Sequence, residues 1–242
     1  MQTIMKKTTV LLLICSISAF AQNWGTEKVK GNGNVISQTR ETSEYEKIAI
    51  TGSFDTQLIA GKEGKITLEG DENILDYIIT EVEDNQLKIH FKKGSSIYNY
   101  KKILISIPVE AINAIALTGS GSVTSLLELK GTEFEIHQTG SGDMKLAINT
   151  KTLTAKLAGS GDLVLSGVTQ NYNVKLAGSG NIESQNLTTE DTIANLAGSG
   201  NLSVFASNSI IAKVSGSGNI NYKGNPKSTD KNIIGSGDIT KI

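Results

Sequence analysis

The chain has 242 residues, a net charge of −1 and one arginine, Arg40. Recognition of a phosphate backbone needs a clustered basic face, so nucleic acid is excluded as a partner, and the remaining basic residues, almost all lysines, read as an ordinary solvated surface. The single cysteine, Cys15, sits in an N-terminal apolar segment. Once that segment is removed, neither disulfides nor thiol chemistry can contribute.

Lys6 and Lys7 precede the apolar run Val10 to Ile14, and the segment closes on Ala19-Phe20-Ala21. This pattern marks residues 1–21 as a cleaved secretory signal peptide. The run falls short of the about 20 apolar residues that cross a bilayer, so no membrane span is expected. Cys15 follows the bulky Ile14 and apolar sequence continues after it, a context that does not favour lipid attachment. The protein is therefore expected to be exported, to the periplasm, the cell surface or the medium.

Residues 22–33 are polar and read as a flexible N-terminal arm, and residues 34–242 as one domain, irregular over 34–110 and repetitive over 111–242. In the irregular part, period-2 alternation predicts strands at Val35–Thr39, Lys47–Thr51, Phe54–Ala60, Lys65–Leu68, Gln86–Phe91 and Lys102–Ile107. Asp71 is placed to cap a short helix with Ile74, Leu75, Ile78 and Ile79 on its apolar face. Glu83-Asp84-Asn85 is a turn signal that folds the chain back as a hairpin. A solenoid needs such an irregular cap at its end, because an open terminal rung exposes unpaired backbone and apolar edges.

From Gly119 onward the tetrapeptide Gly-Ser-Gly-Asp/Asn/Ser recurs, starting at Gly119, Gly140, Gly159, Gly178, Gly198, Gly216 and Gly235, at intervals of 21, 19, 19, 20, 18 and 19 residues. Such a period marks a stacked repeat. The residue after each tetrad's last member is always apolar: Val123, Met144, Leu163, Ile182, Leu202, Ile220 and Ile239. Two and four residues before each first glycine the columns are also apolar, broken only by Gln138 and Lys231. Each rung thus reads as strand, polar corner of varying length, strand, and a fixed glycine corner. Stacking at about 4.8 Å would bury every apolar column on itself. The fold predicted is an all-β, right-handed parallel β-helix with rungs of about 19 residues, since parallel crossovers are right-handed and no six-residue period points to the left-handed form.

The glycine corner is expected to be structural. Its glycines allow positive φ or close backbone approach, and its serine hydroxyls would form a hydrogen-bonded ladder. At the fourth corner position, Asn181, Asn201 and Asn219 would make an amide ladder. Asp143 and Asp162 would meet as like charges, repelling by about 0.8 kcal/mol in water and about 3 kcal/mol at an effective dielectric of 20. Either they are solvated or a cation lies between them. One acidic position per rung is too sparse for the nine-residue calcium-binding β-roll, so no metal and no cofactor is assigned.

Catalytic constellations are not found. His90 and His137 are far apart with no cysteine beside them, no serine is singled out by an adjacent base, and no copy completes a phosphate-binding glycine motif. Cleavage of acidic polysaccharides on a parallel β-helix calls for converging charges, commonly with arginine, whereas here Arg40 stands alone in the N-terminal region and Tyr98 and Tyr100 form the only close aromatic pair. No catalytic, cofactor-binding or metal residues are therefore named.

The segments GDENILDYIITEVEDNQLKIHF, ALTGSGSV, LAGSGDL, LAGSGNI and SGSGNINYKGNP, the last spanning Ser215 to Pro226, closely resemble the auto-transporter adhesin head GIN domain family. The resemblance covers about residues 34–242 and implies a secreted or surface-exposed β-helical protein that is not an enzyme, with no catalytic residues to transfer. The chain stops seven residues after Gly235, so no C-terminal membrane barrel follows in this sequence. The function expected is that of an exported adhesin-like binding or structural protein of the bacterial envelope. Its partner would be an unidentified surface ligand, glycan or protein, and self-association through the C-terminal rung Asp238–Ile242 is a further expectation. A carbohydrate-binding or polysaccharide-processing module is the alternative.

Overall fold

The computed structural model describes residues 27–242; the segment assigned to the signal peptide lies outside the described residues. The chain is nearly all β, with 74% strand, and forms a β-solenoid of about seven turns with rungs of about 19 residues.

The six strands expected before the repeats are all present, as β2 (Val35–Glu41), β3 (Lys47–Gly52), β4 (Asp55–Ala60), β5 (Lys65–Asp71), β7 (Gln86–Phe91) and β9 (Leu104–Val109). The arm is not free in its described part. Strand β1 (Glu27–Lys30) pairs in parallel with β8 (Ser95–Tyr98). The helix is also shorter than its apolar spacing implied. Only α1 (Glu72–Leu75) is helical, and Ile78 and Ile79 open strand β6 (Ile78–Glu83), which pairs antiparallel with β7. The hairpin turn falls where expected, with Asp84 and Asn85 at φ of 50° and 58°. Asp71 stands at the N-cap position without a side-chain cap bond; its buried carboxylate accepts the Lys101 amide at 3.1 Å instead.

Arg40 belongs to this cap. Half-buried on β2, it donates to the carbonyl oxygens of Leu75 (2.6 Å) and Ile78 (2.5 Å) and to Gln38 Oε1. One guanidinium thus ties the end of α1 to the start of β6, satisfying carbonyls that a four-residue helix leaves unpaired.

The stacking order differs from the chain order at this end. Strand β3 lies between β7 and β10 (Ala114–Gly119), and β4 lies between β9 and β11 (Ser122–Gly140), all in parallel. Residues 47–60 therefore form the first regular rung, and the chain leaves it to build the cap beneath before returning at Ala114. The corner of this rung is Gly52-Ser53-Phe54-Asp55, an eighth copy of the tetrad in which phenylalanine replaces the second glycine. No corner lies below it. The Phe54 ring is buried and packs on Phe91 at 4.7 Å between centroids, and Phe91 meets Tyr100 edge-on at 6.3 Å. Aromatic burial closes the bottom of the column.

Above it, β12 (Asp143–Gly159), β13 (Asp162–Gly178) and β14 (Asn181–Gly198) are near-continuous ladders, so the polar corners stay hydrogen-bonded from rung to rung. They turn on buried Thr150, Thr169 and Thr189. The variable spacing arises elsewhere. Register shifts follow Thr124 in the 21-residue rung and Glu183 in the 20-residue one, placing the extra residues at 125–127 and 184–185. There the small residues Ser125 and Ser184 bond the Ala147 amide (2.9 Å) and the Ser203 carbonyl (2.8 Å), as a bulge demands.

Later rungs comprise β15 (Asn201–Phe205), β16 (Ser209–Gly216), β17 (Asn219–Lys223), β18 (Ser228–Gly235) and β19 (Asp238–Lys241). Both breaks in the apolar columns have partners. Gln138 is buried and donates Nε2 to the carbonyls of Gly142 and Asp162. Lys231, in register with Ala212, places Nζ 4.9 Å from the Tyr222 ring centroid and donates to the Ile239 carbonyl at 2.9 Å.

The glycine corners fix the stack. Each first-glycine carbonyl accepts two bonds from the next rung, from the serine and second-glycine amides, as when Ser141 and Gly142 both donate to Gly119 at 3.0 Å. A Cβ added at Gly161 would lie 1.9 Å from the Gly142 oxygen, and one at Gly159 2.1 Å from that of Gly140. First glycines also hold φ values of 112–137° from Gly119 to Gly235, a region closed to most side chains. The serine hydroxyls form no ladder. In the seven Gly-Ser-Gly copies, from Ser120 to Ser236, they are exposed and have no hydrogen-bonding partner among the described residues; the ladder is made by the backbone.

Two predictions follow from this geometry. Gly161→Ala should cost about 3 kcal/mol or more, as overpacking against backbone does, lowering Tm by roughly 6–12 °C for a chain of this size. Gly131→Ala, whose nearest atom would be 3.6 Å away, should leave Tm nearly unchanged; equal effects in a melting experiment would refute the stacking argument. Arg40→Ala should cost about 2–3 kcal/mol through the lost charge-assisted bonds, and Arg40→Lys should not restore it, as denaturant titration would reveal.

Candidate functional site

Because every rung repeats the same turn, outward residues also stack in columns, and each column is a stripe along the solenoid. The fourth corner position forms the most ordered one. Asn181 Nδ2 donates to Asp162 Oδ1 (2.9 Å), Asn201 to Asn181 Oδ1 (3.1 Å) and Asn219 to Asn201 Oδ1 (3.3 Å). The expected amide ladder is therefore present, and it extends past the asparagines. Ser122 donates to Asp55 at the lower end, and Asp238 takes its amide bond to Asn219 Oδ1 at the upper end. Hydrogen bonds from Thr240 and the Ile239 amide hold the Asp238 carboxyl below the usual carboxylate range.

Asp143 and Asp162 are both exposed, and their charges are met by hydrogen-bond donors. Asp143 Oδ1 accepts the Asp162 amide at 3.1 Å, while Asp162 Oδ1 accepts from Asn181. Among the described residues no three metal-ligating side chains gather in one place. His90 and His137 lie on different strands, each beside a glutamate, Glu81 at 3.5 Å and Glu135 at 3.4 Å. Tyr100 is tied to Ser53 at 2.6 Å, and Tyr98 is exposed on β8. The corner column is thus a structural seam whose polar groups largely satisfy one another.

A second column has a different character. Three residues before the first glycine of successive rungs stand Ala116, His137, Lys156, Lys175, Asn195, Lys213 and Asn232, in register. Lys156, Lys175 and Lys213 are exposed, and none forms an ion pair or side-chain hydrogen bond among the described residues. The lysines are therefore not scattered, as their sequence positions suggested. Beside them run the small residues Ala158, Ala177 and Ala197, which leave a shallow trough between the lysines and the glycine corner. On the other side Ile193 and Ile211 are exposed at 42% and 36%. The signal was available in the aligned repeats, one column away from the apolar positions that define the strands.

Comparison with other proteins supports one family. No curated protein matches the chain significantly. A crystal structure named as a putative adhesin from Bacteroides fragilis is 28% identical, with a TM-score of 0.85, over 88% of this chain and 100% of its own. One named as a putative lipid binding protein from Parabacteroides distasonis is 30% identical, with a TM-score of 0.75, over 89% of this chain and 100% of its own. A further structure from that organism, named as a putative adhesin, is 23% identical with a TM-score of 0.70 and shares the fold. Among the described residues no helix is long and apolar enough to cross a membrane. The family described as "Putative auto-transporter adhesin, head GIN domain" matches residues 44–226, and the chain belongs to it.

Proposed function

We propose that the protein is exported and serves, without catalysis, as an adhesin-like binding protein of the bacterial envelope. One observation carries this reading: the solenoid presents in-register outward columns, and the three lysines of the basic column have no internal partner among the described residues while the Ser, Asn and Asp corner column is bonded to itself. Catalysis needs groups converging on one reacting atom, whereas these columns run parallel to one another. A rigid repeated surface suits many weak contacts made together, which is how multivalent binders gain strength. Family membership and an adhesin-named relative at 28% identity support the same reading.

The end of the stack adds a second element. Strand β18 is exposed throughout, with Ile233 and Ile234 at 42% and 68%. Lys231 takes the register position that is apolar in every other repeat, from Ile115 to Ala212, and a charge placed on the core side is a common means of blunting an edge. Lys231 is thus proposed to limit self-association through this rung.

Three outcomes are expected. The protein recovered from its native cells should begin near Gln22 in the envelope or medium; an unprocessed cytoplasmic chain would contradict export. Beads coated with it should adhere to cell or matrix surfaces more than beads coated with the Gly161→Ala variant, and equal adherence would count against the face. Lys231→Val should shift the protein toward dimers in light scattering, and a monomer at all concentrations would dismiss the blocking role.

A further inference from the structure

Lys156, Lys175 and Lys213 follow one line along the solenoid, with backbone steps of about 4.8 Å per rung. Lys156 and Lys175 are on adjacent rungs, and Lys213 is two rungs beyond Lys175. Within the rungs from Lys156 to Lys213 the outward positions on this face are Thr154, Asn173, Asn195, Ser215 and the alanine and isoleucine columns, and the carboxylates of the same columns, Glu135 and Asp230, stand one rung beyond either end of the row. Asp143 and Asp162 lie beyond the glycine corner, on the next side of the rung. Like charges held this close repel one another, and a protein that leaves them unpaired keeps a local positive potential along a line.

We infer that this row is a binding track for a linear acidic polysaccharide, one bearing carboxylates at regular intervals. The inference rests on the reading of the solenoid side as a binding face and names its partner class. A ribbon-like sugar chain matches the geometry in two ways. Its carboxylates can meet successive lysines, and its flat C–H surfaces can rest in the alanine trough, which offers no bulk to obstruct them. Lysine acts here as a point charge, so the contact is governed by charge and spacing; forked recognition of an individual carboxylate is the province of arginine. An anionic membrane is the less fitting partner. A bilayer meets a plane, whereas the charges form a single file, with polar Thr154, Asn173 and Asn195 and short alanines around it. Such binding is weak per site, additive along the chain and steeply dependent on salt, since the screening length is about 10 Å at 0.1 M.

The test uses the full exported chain and three probes: polygalacturonate, neutral dextran and phosphatidylglycerol vesicles. Polygalacturonate should bind at low salt, dextran should not, and binding should fall as salt is raised. Lys156→Gln/Lys175→Gln/Lys213→Gln should weaken polygalacturonate binding about tenfold or more, the sum of three modest charge contacts. The control Lys145→Gln/Lys151→Gln/Lys223→Gln removes the same charge from exposed positions elsewhere and should bind as the parent does. Both variants should melt as the parent does, since none of the six side chains is buried. Equal loss in the two variants would make the effect one of net charge and overturn the track. Vesicle binding that depends on the three lysines, with no polygalacturonate binding, would overturn it in favour of a membrane. If the protein binds neither probe while its coated beads still adhere to surfaces, the adhesin reading stands and the acidic-polysaccharide inference falls.

Discussion

Backbone packed directly on backbone at the Gly-Ser-Gly corner is the constraint on which the remaining structure depends. One carbonyl accepts two amides of the next rung, and there is no room for a methyl group at either glycine. Close approach at this point sets the spacing of the whole rung, because both flanking strands leave the corner with fixed register. Inward columns then stack like on like, which buries an aliphatic core despite a composition of only 5% aromatic residues. Outward columns stack by the same necessity, so any residue repeated at one position becomes a stripe.

The two outward columns show what this constraint permits. Where side chains are short amides and carboxylates, neighbouring rungs are close enough for one to donate to the next, and the seam from Asp55 to Asp238 adds hydrogen bonds to the corner it flanks. Where they are lysines, rungs at the same spacing cannot satisfy each other and the charge remains available. The fold therefore makes one stripe internally complete and leaves another open to a partner.

Much of this was legible in sequence because a repeat is its own alignment. The apolar columns and the amide ladder follow from counting residues from each first glycine, and the six early strands from period-2 alternation alone. The first corner escaped because Phe54 replaces its second glycine, and the 53 residues from Gly61 to Asn113 separate that rung from its neighbour in the stack. A glycine is needed only where another corner lies beneath, so the lowest copy is free to differ. The helix at α1 was overextended because Ile78 and Ile79 serve a strand paired to β7, a tertiary demand that spacing does not reveal. The lysine stripe was missed for a simpler reason: lysines 19 residues apart look dispersed until the rung length is applied to them.

The central claim is that the glycine corners are hydrogen-bonded structural seams, and amide hydrogen exchange tests it most directly. Residue-resolved exchange in the native protein should show the amides of Ser141, Gly142, Ser160, Gly161, Ser179 and Gly180 protected to nearly the level of the flanking strands, although the serine side chains are exposed. Rapid exchange at these amides, with protection confined to the strands, would show flexible loops in place of stacked corners and contradict the account.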